Sequence, residues 1–190
     1  MKHFCYITIL LSLFFQSDIR KRTLPYGIII SKADLIVEGT VISKGKDKYQ
    51  FNVTEFVKGN ALKTINVKIW EEWTCDKRIE DIEKNQRLLL FLRSDKENHS
   101  IINGSTGELF ILEDETVETF MRDDFPKIEE LKEGIQLFLK AFEYKGDLYP
   151  DLGEEYYFKR LIPQSKIHVM AEKNEFMKFL LAEINNYKIK

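Results

Sequence analysis

Residues 33–59, ADLIVEGTVISKGKDKYQFNVTEFVKG, constrain the fold more than any other part of the chain. Leu35, Val37 and Val41, then Phe51, Val53 and Phe56, recur near period two on either side of a polar Gly/Lys/Asp turn. That period puts apolar side chains on one face of an extended strand, so the stretch predicts two long strands joined by a turn. Gly39 interrupts the first run, and a missing side chain there permits a bulge or sharp coil. A first strand that bends in this way suits a small barrel. None of these residues carries chemistry, so they speak for an architecture and leave activity open.

Further strands follow. In Thr64 to Trp70 (TINVKIW), Ile65, Val67 and Ile69 alternate with Asn66 and Lys68, as in a half-buried strand. Glu71 to Asn85 is charged and irregular and reads as a long connection. Leu88 to Leu92 (LLLFL) is a continuous apolar run that suits a strand buried on both faces, and Asn85 just ahead can take the turn conformation that starts it. Ser100 to Asn103 and Glu108 to Leu112 read as two short strands around the turn Asn103-Gly104-Ser105-Thr106-Gly107, of hairpin type. The last third changes period. Ile128, Leu131, Ile135, Phe138 and Phe142 fall on one helical stripe behind Pro126 and the acidic Asp123, Asp124, Glu129 and Glu130, as a helix N-terminus favours. After a loop from Leu148, a second amphipathic helix is predicted from about Ser165 to Tyr187, with Phe176, Leu180, Ile184 and Tyr187 on one face. Both helices need an apolar surface to cover, and the barrel supplies one.

The N-terminus bears on location. Lys2 and His3 precede an apolar run from Phe4 to Phe15, after which Gln16, Ser17 and Asp18 turn polar, the pattern of a signal peptide over 1–17. The run is shorter than the roughly 20 residues needed to span a bilayer. Export, to the medium or to the cell envelope, is therefore expected. Arg20, Lys21 and Arg22 follow at once, and positive charge there favours retention of the segment as an uncleaved tether. With 1–17 removed, the chain reads as a barrel domain over 18–122 and a helical segment over 123–190. Cys75 is then left without Cys5, so no internal disulfide is expected, and a small residue behind Trp73 and Thr74 is expected to be buried. The formal net charge of −2, mixed along the chain, argues against nucleic acid, whose phosphates select a basic surface.

No catalytic constellation is evident. His99 and His168 have no second histidine or cysteine at ligand spacing, so no metal site and no cofactor is expected. The neighbouring acids Glu71 and Glu72, or Asp123 and Asp124, suit solvated loops and helix starts better than acid–base catalysis. Three triplets, at Asn52, Asn98 and Asn103, match the glycosylation acceptor pattern, which recurs often by chance. Trp70 and Trp73, at the end of a strand beside an acidic loop, are the candidates for partner binding, because indole rings supply large rigid contact areas.

The order of features resembles the netrin/TIMP-like OB-fold domains of exported proteins. The matching residues are Ala33-Asp34-Leu35-Ile36-Val37 with Gly39, Phe51 to Val57 closed by Lys58-Gly59, Trp70 and Cys75, Leu88 to Leu92, and Gly104 to Gly107 before Leu109 and Phe110. The resemblance implies an α+β fold: a small OB-like antiparallel β-barrel of five to six strands with C-terminal amphipathic helices packed on it. Inhibitors of that group chelate the zinc of a metalloprotease through a disulfide-bonded cysteine at the mature N-terminus. Here that end would lie near Asp18 with no cysteine, so protease inhibition is the disfavoured alternative. The expectation is a non-enzymatic binding module whose partner is another protein.

Overall fold

The computed structural model of the chain describes residues 21, 23–95, 98–120, 122–151 and 153–190. The expected signal segment 1–17 lies outside them, together with Cys5, Arg20 and Arg22.

The two opening runs form β1 (Leu35–Lys44) and β2 (Lys48–Lys58), an antiparallel hairpin. β3 (Thr64–Lys68), β4 (Arg87–Asp95) and β5 (Asn98–Ile101) follow, hydrogen-bonded in the order β1-β2-β3-β5-β4, and β4 pairs back onto β1 to close a barrel. Every pairing in the ring is antiparallel except β3 with β5, where Val67 faces His99 in parallel register. β6 (Glu108–Ile111) and β7 (Val117–Glu118) extend the sheet from β4.

The pleat of β1 and β4 divides their side chains between two cores. Leu35, Val37, Val41, Leu88, Leu90 and Leu92 fill the barrel interior with Tyr49, Phe51, Val53, Ile65 and Val67. Ile36, Leu89 and Phe91 point the other way into a second core shared with the helices. The expected burial of Leu88 to Leu92 on both faces therefore holds. Asn85, just ahead of β4, has the positive φ of 70° anticipated for a turn.

Gly39 lies at a register shift: Glu38 faces Glu55 but Gly39 faces Val53, so Thr54 is the extra residue of a bulge. A Cβ added there would sit 2.1 Å from the Asn52 carbonyl oxygen. The close approach of β2, and not left-handed backbone, is what requires glycine.

The expected hairpin around residues 103–107 is not formed. β5 and β6 lie end to end along the edge of β4 that β1 leaves open, Ile101 opposite Leu92 and Glu108 opposite Leu90. The turn is a detour within one line of strand: Asn103 and Gly104 take positive φ, a single 3-10 turn covers Gly104–Gly107, and the chain rejoins the same edge. β4 supplies partners for both pieces, so neither needs the other.

The helical third differs in detail from its sequence pattern. α1 (Tyr26–Lys32), which periodicity does not reveal, packs between barrel and helices with Tyr26 to Ile30 buried. α2 (Ile128–Ala141) buries Ile128, Leu131, Ile135 and Phe138 as expected, but Phe142 opens β8 (Phe142–Lys145), which pairs with β9 (Tyr157–Arg160). The single helix expected over 165–187 is two, α3 (Gln164–Lys173) and α4 (Glu175–Ile184). Asn174 breaks it: its backbone is extended (φ −143°, ψ 114°), its Oδ1 caps α4 by accepting from Met177 N at 2.8 Å, and its Nδ2 donates to the Glu130 carbonyl at 2.9 Å. Among the described residues, no helix is long and apolar enough to cross a membrane.

Candidate functional site

Buried charges tie the elements together. At one end of the barrel the 69–86 connection folds inward, with Ile82 joining the interior core. It brings Arg78 against Glu108, whose carboxylate is enclosed with 1% of the residue exposed. Glu108 accepts hydrogen bonds from Tyr49 Oη (3.0 Å) and Trp70 Nε1 (2.7 Å). Arg78 Nε lies 2.6 Å from Glu108 Oε2 as an ion-pair contact off the line of a hydrogen bond, and its guanidinium stands 4.2 Å from the Trp70 ring centre. Burial raises the Glu108 pKa, and Arg78, Trp70 and Tyr49 offset only part of that rise. Burial likewise drives the Tyr49 phenol well above its ordinary value, with the Glu108 charge adding to it.

The second set joins α2 to the barrel. Lys132 Nζ, on a side chain 5% exposed, lies 2.7 Å from Glu38, 2.6 Å from Glu55 and 2.6 Å from Glu129. The three carboxylates are close enough together to suit a cation, and the ammonium of Lys132 occupies that place. Arg87 bridges Glu38 at 2.7 Å to Glu115 at 2.6 Å.

Among the open features of the described residues is a groove on the helical side. The segment ahead of α2 supplies Arg122, Asp124, Phe125 and Pro126, and the start of α4 supplies Glu175, Phe176 and Phe179, around a cavity of about 360 Å³. Its floor is aromatic because Phe176 and Phe179, three apart on α4, stack at 5.6 Å, while Tyr26 stands edge-on to Phe125 at 5.3 Å beneath them. The Arg122 guanidinium lies 4.1 Å from the Phe179 centroid and its Nε is 3.1 Å from Asp124. On the rim, Glu130 accepts from Glu175 N at 2.9 Å. Behind the floor, Glu183 accepts from Tyr26 N at 2.7 Å, the first amide of α1.

Burial lifts the Glu183 pKa to about 7, against the pull of the Tyr26 amide and the Arg122 charge. A carboxyl raised in the folded state stabilises the fold below its unfolded pKa, and that contribution is lost as pH rises from 4.5 through about 7. Glu183→Gln keeps an oxygen for Tyr26 N and removes the buried charge. It should therefore melt higher than the parent at alkaline pH, by about 2 kcal/mol of stability, with little difference at acid pH; equal gains at both ends would break the assignment.

The two tryptophans proposed for binding have different surroundings. Trp70 is half-buried, with its indole N–H on Glu108 and one ring face under Arg78. Trp73 is 38% exposed on a tight turn in which Trp73 and Asp76 exchange backbone hydrogen bonds at 2.9 Å. Cys75, expected to be buried, is half-buried. Lys21 has a side chain 5% exposed and holds Asp76 at 2.9 Å and Ser105 at 3.1 Å. His99 Nδ1 meets Ser94 Oγ at 3.3 Å, and His168 Nε2 meets Gln164 Nε2 at 3.0 Å. Of the acceptor-pattern asparagines, Asn52 lies in β2 and Asn103 is held by Thr106 and Tyr149. The groove escaped sequence reasoning; the one signal that could have pointed to it is the pair of Phe residues three apart behind a capping Asn.

No protein-family model matches the chain, and no curated protein or solved structure is similar enough to it to count as a match.

Proposed function

We propose that the chain is a non-enzymatic, exported binding module of the netrin/TIMP-like OB kind, and that its partner is another protein. The observation that carries the reading is the groove of Phe125, Phe176 and Phe179: an open, aromatic-floored cleft of about 360 Å³, within the range of roughly 300–1,000 Å³ typical of binding clefts. The ring order β1-β2-β3-β5-β4 supports the OB-like part of it. Buried charge pairs, Glu108 with Arg78, Lys132 with Glu38 and Lys21 with Asp76, bridge separate parts of the chain, a role that suits holding a scaffold rigid beneath a recognition surface.

Affinity capture with the purified full chain, cross-linked in extracts of its native compartment, tests this. One protein retained in stoichiometric amount, and released when Phe179→Ala replaces the parent, is the expected result. Turnover of a small molecule by pure protein, lost with a point change and without any retained protein, would defeat the reading.

A further inference from the structure

Resting on the binding reading above, we propose that the groove docks a basic segment of the partner, seating one aromatic or branched aliphatic side chain against Phe125 and Phe179 with a neighbouring Lys or Arg against Asp124 and Glu175. The floor is apolar: Phe125 and Phe176 are buried, Phe179 and Pro126 are half-buried, and Arg122 stands over Phe179, so an apolar anchor meets the part of Phe179 and the Pro126 ring that Arg122 leaves uncovered. The rim is unbalanced in charge: Asp124, Glu130 and Glu175 line it against one cation, Arg122. Asp124 and Glu175 have side chains 71% and 70% exposed, so their charges reach solvent and an approaching partner.

The floor already accepts a guanidinium, since Arg122 stands over the Phe179 ring at 4.1 Å while pairing with Asp124 at 3.1 Å. A partner arginine can repeat that combination of ring face and carboxylate, whereas an acidic segment would meet like charge along the rim. Each rim acid is already partly engaged, Glu130 by the α4 backbone, Glu175 by Lys178 at 3.2 Å and Asp124 by Arg122 at 3.1 Å, so a partner cation shares carboxylates rather than finding a bare one, and the exposed pair Asp124 and Glu175 are the acids it reaches first.

The probe is a fluorescein-labelled peptide Lys-Lys-Phe-Leu-Arg-Lys, set beside Glu-Glu-Phe-Leu-Asp-Glu, with the full chain titrated in by fluorescence anisotropy at low and high salt. The basic peptide should bind saturably, at least about tenfold tighter than the acidic one, and weaken with salt. Asp124→Lys with Glu175→Lys should cost about tenfold or more, with a modest fall in melting temperature because Glu175 opens α4 and pairs with Lys178, and Asp124→Asn with Glu175→Gln should weaken binding in the same direction with a smaller fall. Phe179→Ala should also weaken binding, and the charge reversals carry the test if that variant unfolds. Equal binding of the acidic peptide, or basic-peptide binding indifferent to the reversals, overturns the inference. So does a dimer of the free chain that Asp124→Lys dissociates, since a second copy would then be the occupant. If a protein captured from extracts stays on the charge-reversed chain but leaves Trp73→Ala, the groove is the wrong surface and the binding module stands.

Discussion

Replacing Arg78 by Met is expected to cost about 3–5 kcal/mol, because it leaves the Glu108 carboxylate buried with no counter-charge. Trp70 and Tyr49 would still donate to it, but neutral donors do not replace the guanidinium held 2.6 Å away on a side chain 5% exposed. The loss should depend on pH in a definite sense. Burial already raises the Glu108 pKa in the folded protein, and removal of Arg78 raises it further, while the unfolded value stays at 4.5. Folding then favours the protonated acid: the stability is present below pH 4.5 and is lost as pH climbs through the raised folded value. Urea midpoints of variant and parent should therefore lie closest near about pH 4 and furthest apart near about pH 8. Adding Glu108→Gln to the variant should recover part of the loss at the higher pH. A gap that does not change with pH would mean that Arg78 acts by packing on Trp70 and not by charge.

Gly39→Val is expected to destabilise by about 3 kcal/mol, the upper end of what overpacking a tight site costs. The new Cβ would stand 2.1 Å from the Asn52 carbonyl oxygen and 2.8 Å from the Phe51 ring, both on the facing strand β2. Because the nearest atom belongs to backbone, the strands must separate. Side-chain adjustment cannot relieve the contact. A fall in melting temperature of roughly 6–12 °C would correspond to that cost in a domain of this size. Gly39→Ala should lose nearly as much, since the clash begins at Cβ. A mild effect from alanine with a severe one from valine would place the constraint further out, in the barrel core.

The strands were legible because their physics is local. Alternation marks β1, β2 and β3, and an unbroken apolar run marks β4, whose two faces look into two cores. Elements held by distant residues were not legible. Tyr26 to Lys32 is rich in isoleucine and too short to declare a helix. It is helical because Pro25 starts it, Glu183 accepts its first amide, and Lys58 Nζ donates to the Ile30 and Ser31 carbonyls at 2.9 and 2.8 Å. The break at Asn174 needs Glu130 on another helix to satisfy the asparagine amide. β8 follows α2 without a breaker, and its partner β9 lies beyond a loop. Trp70 showed its size in the sequence but not its commitment to Glu108. The groove unites Arg122, Phe125 and Phe179 only once α4 has docked beside α2.

The double burial of β4 also has a consequence before the barrel closes. In a chain still emerging or partly unfolded, Leu88-Leu89-Leu90-Phe91-Leu92 is an uncharged apolar segment of the length and kind that nucleates intermolecular cross-β stacking. Arg87 and Arg93 bracket it on both sides. In the folded protein Arg87 is engaged with Glu38 and Glu115, and Arg93 stands exposed beside β5. Before folding, the same two charges sit at the ends of the segment as gatekeepers, repelling copies that would align in register. The strand that faces both cores is thus also an aggregation hazard, and its flanking arginines guard it during synthesis, while Arg87 alone goes on to brace the finished sheet.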